Sequence, residues 1–372
     1  MPAKQSVPNI NEHLTSEILI TNSCNIGCDY CIAKDLPGPC MSKEIGRKAI
    51  DMFVYLAEGG KTIEFIFTGG EPLTECEVLE DLISYAQKCA YEAGMQAFFV
   101  LKTNGTILNQ NIIDFMRLNC IKVIVSIDGT SSVHDKHRKT AFGKGTHDIV
   151  CRNLQTLLKN QISCVASVTV HPDSSQLVLE NVRYLNGLGV EQIDIGPAYG
   201  TVTWSDIDCF NLSRSLVDVA GYIRGLSNSG HRINIGPLYQ ESEHVGDILS
   251  NLWGCHAAST NLAFLPNGQI TGCSALAMLI SKFPELILGD VFSGLDQLSI
   301  DKLIQLAQAK GEDRPACKNC RTSVNCRGGC LAINYSTSGL ALIPPTIYCK
   351  TISTIPEAWW IAWGATGKVV AN

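Results

Sequence analysis

The sequence predicts an α/β protein, a partial (β/α)6 barrel followed by a small cysteine-rich domain. Three observations predict it. Short apolar, β-branched runs alternate with longer helix-patterned stretches as far as about residue 235. Those runs are nearly continuous in apolar character, as the strands of a parallel sheet covered by helices are. Beyond residue 236 helical periodicity thins while turn residues and cysteines accumulate.

The first strand is read at EILITN (17–22), which leaves residues 1–16 as an N-terminal extension. A helix at 44–58 follows, then IEFIFTG (63–69), a helix at 77–93, AFFVLKTNG (97–105), a helix at 112–118 and KVIVSIDG (122–129). The series continues through a helix at 148–159, SCVASVTV (163–170), a helix at 177–188, IDIGPAY (193–199), a helix at 209–227 and a weak INIGP. Six βα units in line suggest a TIM-type partial barrel over 17–240, with its chemistry on the loops after the carboxyl ends of the strands. With the boundary placed near 236–250, the second domain runs over 241–350, and 301–310 is its one clear helix. The tail, 351–372, contains Trp359, Trp360 and Trp363, three of the five tryptophans. It is expected to pack on its own domain, with substrate docking as its other reading.

A chain that is 45% hydrophobic and 17% charged can bury a sizeable core and is not disordered. Its formal net charge of −6 removes the bulk cationic field of a nucleic-acid or anionic-membrane binder. The polar N-terminus has no signal peptide, and no apolar run reaches the length of a transmembrane helix. Seventeen cysteines are therefore expected in a cytoplasmic setting, where thiols bind metal or do redox chemistry rather than pair as disulfides.

Cys40, Cys76, Cys89, Cys120, Cys151, Cys164 and Cys209 have no ligand spacing and read as small buried hydrophobes. The other ten form two blocks. Cys24, Cys28 and Cys31 make a C-x3-C-x2-C loop. Three thiolates cannot complete a tetrahedral zinc site alone, but they can hold three irons of a [4Fe–4S] cube and leave the fourth open. A zinc knuckle borrowing Cys40 is the alternative, and it leaves Gly69-Gly70-Glu71-Pro72 at the next strand end unexplained. The second block is Cys317-x2-Cys320-x5-Cys326-x3-Cys330, preceded by Cys255 and Cys273 and followed by Cys349. It is similar to a two-cluster ferredoxin run, whose last cysteine ligates the other cluster. A zinc ribbon is its alternative.

CNIGCDYC resembles the signature of the radical S-adenosylmethionine (SAM) superfamily. The resemblance extends over roughly 17–235 and implies further roles. Gly69, Gly70, Glu71 and Pro72 resemble the family's GGEP motif, whose backbone and carboxylate bind the SAM amino group. Tyr30 corresponds to the aromatic residue whose backbone meets the adenine. Thr103 and Asn104, then Ser126 and Asp128, resemble the third- and fourth-strand motifs, the latter pair near the SAM carboxylate or ribose. Arg138 matches an arginine that pairs with that carboxylate. The second block resembles the SPASM extension of radical SAM enzymes that act on peptides and proteins, including anaerobic sulfatase-maturing enzymes. Carried over, Cys317, Cys320, Cys326 and Cys349 hold an outer auxiliary cluster, and Cys255, Cys273 and Cys330 an inner one. That makes three [4Fe–4S] clusters with SAM. Two departures from the sulfatase-maturing pattern stand out: Asn261 replaces a further inner-cluster cysteine, and Ser274 replaces an acidic residue used as base. Both argue against sulfatase maturation and leave the base unassigned.

The resemblance implies reductive cleavage of SAM to a 5′-deoxyadenosyl radical that abstracts hydrogen from the substrate, with a flavodoxin or ferredoxin as one-electron reductant. Auxiliary clusters suit net two-electron oxidations. The preferred substrate is a ribosomally made precursor peptide, modified at a side-chain carbon as a cyclophane-type crosslink or thioether. With sixteen residues before the first strand, either a separate leader-binding protein or docking on the second domain is expected. The alternative is a dehydrogenase or epimerase acting on a sulfatase Cys/Ser or on a small molecule such as an aminoglycoside; an iron–sulfur electron carrier is disfavoured by the GGEP-like loop.

Overall fold

The computed structural model describes residues 14–35, 40–239, 255–309, 313–326 and 328–364. The chain opens with β1 (Leu14–Thr21), followed by α1 (Lys43–Leu56), β2 (Thr62–Gly69), α2 (Cys76–Glu92), β3 (Gln96–Thr103) and α3 (Gln110–Leu118). Next come β4 (Lys122–Ser126), α4 (Ser131–His137), α5 (His147–Lys159), β5 (Cys164–Val170), α6 (Val178–Gly187), β6 (Gln192–Pro197), α7 (Asp206–Asn228) and β7 (Asn234–Gly236). These seven strands pair in parallel in sequence order. Each pairing has a helix crossover between its strands, the connection that parallel pairing demands. This is the expected α/β partial barrel.

The helices form where an apolar stripe meets a capping residue. In α1, Ser42 accepts a hydrogen bond from Ile45 N at 3.2 Å, and Ala49, Ile50, Phe53 and Leu56 face the sheet. In α3, Asn109 caps Ile112 N at 2.9 Å.

The second half is joined to the first through the sheet itself. β8 (Asn261–Phe264) lies parallel to β1 on the side away from β2. Then β9 (Gln269–Thr271), β10 (Gly289–Asp290) and β11 (Gly294–Leu295) extend the same sheet in antiparallel fashion. Phe264 of β8 stands edge-on to Phe53 of α1, ring centroids 6.1 Å apart, so both halves share one core. The division at 240/241 lies outside the described residues.

Three expectations are corrected. β1 begins at Leu14, so an extension ending at 16 would cut the strand. The cysteine-rich half has more helix than the one stretch at 301–310: α8 (Gln297–Ala307), α9 (Leu331–Ser338) and α10 (Thr346–Trp363). α10 runs through residue 351, so a tail starting there would split it. It is apolar on most faces and contains Pro356, two features that hide a helix from periodicity. α10 packs along α7, with Trp359 and Trp363 buried and Trp360 half exposed. The indole N–H groups of Trp359 and Trp363 donate to Tyr239 O at 2.9 Å and Leu238 O at 2.8 Å. The tryptophans therefore brace the strand-end loop after β7.

Candidate active site

A cavity of about 550 Å³ opens at the carboxyl ends of β2 to β6 and is closed on one side by the loop after β1. Cys24, Cys28 and Cys31 line it together. Burial raises the Cys24 thiol and pushes Cys28 up to about 11, and each also feels the negative charge of Cys31. Neutral thiols must lose their protons to bind metal, so an iron cluster here would have to compensate that burial. Tyr30 lines the same wall, and its buried hydroxyl makes no hydrogen bond. Three thiols on one loop beside an unpartnered polar atom suit a cluster with a polar ligand next to it.

Two glycines bring this loop against the β2 edge. Gly69, at φ +147°, donates no side chain into Thr21, and a Cβ on Gly70 would run into the Ser23 carbonyl. Gly70 N donates to Thr21 O at 2.7 Å and Glu71 N to Ser23 O at 2.9 Å, tying the GGEP segment to the cysteine loop.

Tyr30, Gly69, Gly70, Thr103, Asn104, Ser126 and Arg138 all line the cavity. Glu71, Pro72 and Asp128 are not among the residues that line it. The Glu71 carboxylate accepts from Leu73 N at 3.1 Å, Thr103 Oγ1 at 2.8 Å and Asn104 N at 2.7 Å. Burial raises its pKa despite these three donors. Asn104 Nδ2 in turn reaches Cys24 Sγ at 3.6 Å, so Glu71 acts on the cysteine loop through Asn104. Asp128 grips Arg138, with Nε to Oδ2 at 2.6 Å and Nη2 to Oδ1 at 3.0 Å. Burial alone would raise Asp128, but the guanidinium holds its pKa below the usual range. α4, absent from the sequence reading, delivers Arg138 at its C-terminus. Beside it His134 is held near 4 by burial and by Arg138, hence neutral; its Nδ1 accepts from Asp128 N at 3.3 Å.

The seven cysteines of the second block separate into two groups. Cys273, Cys255 and Cys330 share one field: burial raises all three, and the charges of Cys330 and Cys255 raise Cys273 further. Cys317, Cys320, Cys326 and Cys349 share another, in which burial pushes Cys349 up to about 11 and the other three thiols add to it. Among the described residues, no three His, Cys, Asp or Glu side chains are placed to hold a single metal ion. Tyr199, on the exit of β6, lines the cavity, and its hydroxyl is raised first by burial and then by the charges of Cys330, Cys273, Glu17 and Cys31.

The residues at both departures, Asn261 and Ser274, converge on Glu17, a buried β1 carboxylate that the motifs did not single out. Asn261 Nδ2 donates to Glu17 Oε1 at 2.9 Å, Ser274 N to the same oxygen at 3.2 Å, and Ser274 Oγ to Oε2. Lys102, which lines the cavity, pairs with Oε2 at 3.1 Å. Burial would raise Glu17, but Lys102 and the two hydrogen-bonding side chains win and lower it from 4.5 to about 2. A carboxylate so depressed contributes stability above its unfolded pKa and loses it as pH falls through the folded value. The 4.5-to-2 interval is worth about 3 kcal/mol. Urea denaturation of the metal-free protein should thus show a wild-type advantage over Glu17→Gln near pH 7 that fades between about 4.5 and 2. An advantage that persists unchanged at the acid end would contradict it. A lone Glu within an apolar strand was the available signal for Glu17, and a Lys within AFFVLKTNG the signal for Lys102.

The sequence matches the model of the Radical SAM superfamily over residues 18–185. The chain contains a radical SAM domain. An uncharacterized protein of Methanocaldococcus jannaschii is 29% identical over 174 residues, which cover 47% of this chain and 59% of that one. A cysteine-type anaerobic sulfatase-maturating enzyme of Clostridium novyi matches over 43% of its own length. The chain thus spans about half the length of these two relatives. The corresponding Clostridium perfringens enzyme is 28% identical over 352 residues, 89% of this chain and 92% of that one. A solved structure of anSMEcpe with bound AdoMet and Cp18Cys peptide superposes with a TM-score of 0.76 at 20% identity, over 94% and 97% of the two chains. That likeness establishes the shared fold. The radical SAM domain is followed by the cysteine-rich half, on the same sheet. No helix among the described residues is long and apolar enough to cross a membrane.

Proposed function

We propose that this chain is a radical SAM maturase that oxidatively modifies a peptide by abstracting a side-chain hydrogen. The observation that supports it is one cavity at the carboxyl ends of the strands that gathers the three-cysteine loop with Gly70, Asn104 and Arg138. When bound, a [4Fe–4S] cluster at Cys24, Cys28 and Cys31 with SAM supplies the hydrogen-abstracting radical. The protein's own residues orient and enclose. Gly69 and Gly70 let the cysteine loop close against the β2 edge, Asn104 faces Cys24, and Arg138 presents a guanidinium already fixed by Asp128. Cys255, Cys273 and Cys330, with Cys317, Cys320, Cys326 and Cys349, would hold two auxiliary clusters as electron acceptors. A precursor peptide is the substrate class, supplied with electrons by a flavodoxin or ferredoxin and presented by a separate leader-binding protein. The product is a crosslink such as a cyclophane or thioether.

Sulfatase maturation is the second reading, favoured by the 28% identity to the Clostridium perfringens enzyme over most of both chains. Ser274 in place of an acidic side chain weighs against it. Anaerobic incubation of reconstituted protein with SAM, reductant and a peptide encoded by a neighbouring gene should yield 5′-deoxyadenosine and a peptide lighter by two hydrogens. Cys28→Ser should abolish both products. An unchanged peptide beside steady 5′-deoxyadenosine refutes peptide maturation, and oxidation of a sulfatase Cys/Ser peptide instead selects the second reading.

A further inference from the structure

The geometry points to Asp194 as the proton acceptor of the oxidation, held in place by Tyr239. This inference rests on the peptide-oxidising reading above. Whatever bond is formed, the stoichiometry requires a base. Joining R–H to X–H as R–X removes two hydrogens, and the adenosyl radical takes one as an atom. The other leaves as a proton and an electron; the electron passes to an auxiliary iron–sulfur cluster, and the proton needs an acceptor in the cavity.

Among the described residues lining the cavity, Asp194 is the sole carboxylate. The cavity's two cationic side chains are each matched by an acid behind the wall, Lys102 by Glu17 at 3.1 Å and Arg138 by Asp128 at 2.6 Å. Asp194 instead accepts a hydrogen bond at Oδ1 from a neutral donor, the Tyr239 hydroxyl. That contact is built into the chain. A Cβ on Gly236 would stand 2.7 Å from Tyr239 Oη and 3.0 Å from Asp194 Oδ1, so only glycine lets the two meet. Tyr239 is anchored in turn by α10, whose Trp359 and Trp363 indoles hold the carbonyls of Tyr239 and Leu238 at 2.9 and 2.8 Å.

The position is also right. β6 places Asp194 on the cavity wall, and the chain just beyond the strand passes between the cysteine loop and the helix after Cys330. A Cβ on Gly200 would lie 3.2 Å from Ile32 and 4.0 Å from Ser336 of α9. Asp194 thus stands on the cavity wall that also holds Cys24, Cys28 and Cys31, on the strand that leads into the segment between the cysteine loop and α9. Glu17 does not compete for the role: it does not line the cavity, and its oxygens are occupied by Lys102, Asn261 and Ser274. Tyr239 is a positioning residue, acting on the substrate only through Asp194.

The test uses the full-length reconstituted enzyme with peptide deuterated at the abstracted position. Asp194→Asn should bind and cleave SAM and still move deuterium into 5′-deoxyadenosine, while oxidised peptide falls by about 100-fold, the lower end of general-base effects. Tyr239→Phe should still form product, with kcat for peptide oxidation lowered by about tenfold or more while the KM for peptide and SAM cleavage stay at wild-type values, because only the aim of the carboxylate is lost. Oxidised peptide at the wild-type rate in Asp194→Asn overturns the inference alone. So does loss of SAM binding in that variant, which would make Asp194 a cofactor contact, or a wild-type kcat in Tyr239→Phe. Wild-type enzyme that cleaves SAM but oxidises no peptide overturns the functional reading and the inference together, since no proton is then released.

Discussion

Asp128→Ala is expected to destabilise the protein by about 3–5 kcal/mol, because it strands the buried Arg138 guanidinium without its counter-charge. Asp128 and Arg138 are only 2% and 6% exposed. The pair is bidentate, and Asp128 Oδ1 also accepts from Thr169 N at 2.8 Å, so the loss reaches the β5 end of the cavity. Urea denaturation monitored by circular dichroism would register it as a lower midpoint at unchanged slope. The double variant Asp128→Leu, Arg138→Met should recover most of that stability, since an apolar pair of similar volume costs nothing in desolvation. It should not recover SAM cleavage, because the guanidinium facing the cavity is gone. A double variant as unstable as the single one would show that the charges themselves, rather than the stranded cation, sustain the fold.

Gly70→Ala should have the largest effect on cofactor assembly. The added Cβ meets backbone, the Ser23 carbonyl and, at 2.9 Å, Asn22 O, neither of which is the yielding end of a flexible side chain. Relief requires the cysteine loop to move away from β2 and break the Gly70 N to Thr21 O bond of 2.7 Å. Overpacking of this kind costs about 1–3 kcal/mol. The sharper readout is iron: the first cluster should be lost from the purified protein while auxiliary iron remains, with 5′-deoxyadenosine formation reduced at least tenfold, as expected when support of metal ligands is disturbed. Full iron content and wild-type cleavage in this variant would mean that the loop position is not set by β2.

How much of this was legible beforehand differs from residue to residue. The barrel strands were readable because burial on both faces leaves an apolar run that survives any detail of packing. The cysteine loop was readable because its three thiols lie within eight residues, where chain geometry keeps them together whatever else folds. The grouping of the later cysteines, Cys273 with Cys255 and Cys330 and Cys349 with the run from Cys317, came from a resemblance, since spacing alone does not divide them. α10 was missed because a helix apolar on most faces has no period to detect.

The residues that brace the site were not legible. Glu71, for example, binds Thr103, Asn104 and Leu73 through its carboxylate, partners that no motif names. Asn261 and Ser274 read as two unrelated departures until both were found on Glu17, 244 and 257 residues away in sequence. Their meeting depends on β8 choosing the free edge of β1, a pairing that no local pattern encodes. By itself, then, the sequence determined the chemistry that spacing along the chain can express: the α/β strand series, the three-cysteine loop and the seven later thiols. Only the tertiary structure decided which charges face the cavity and which stand behind it. That choice depends on burial and on hydrogen-bond partners brought from distant strands, and neither is a property of spacing along the chain.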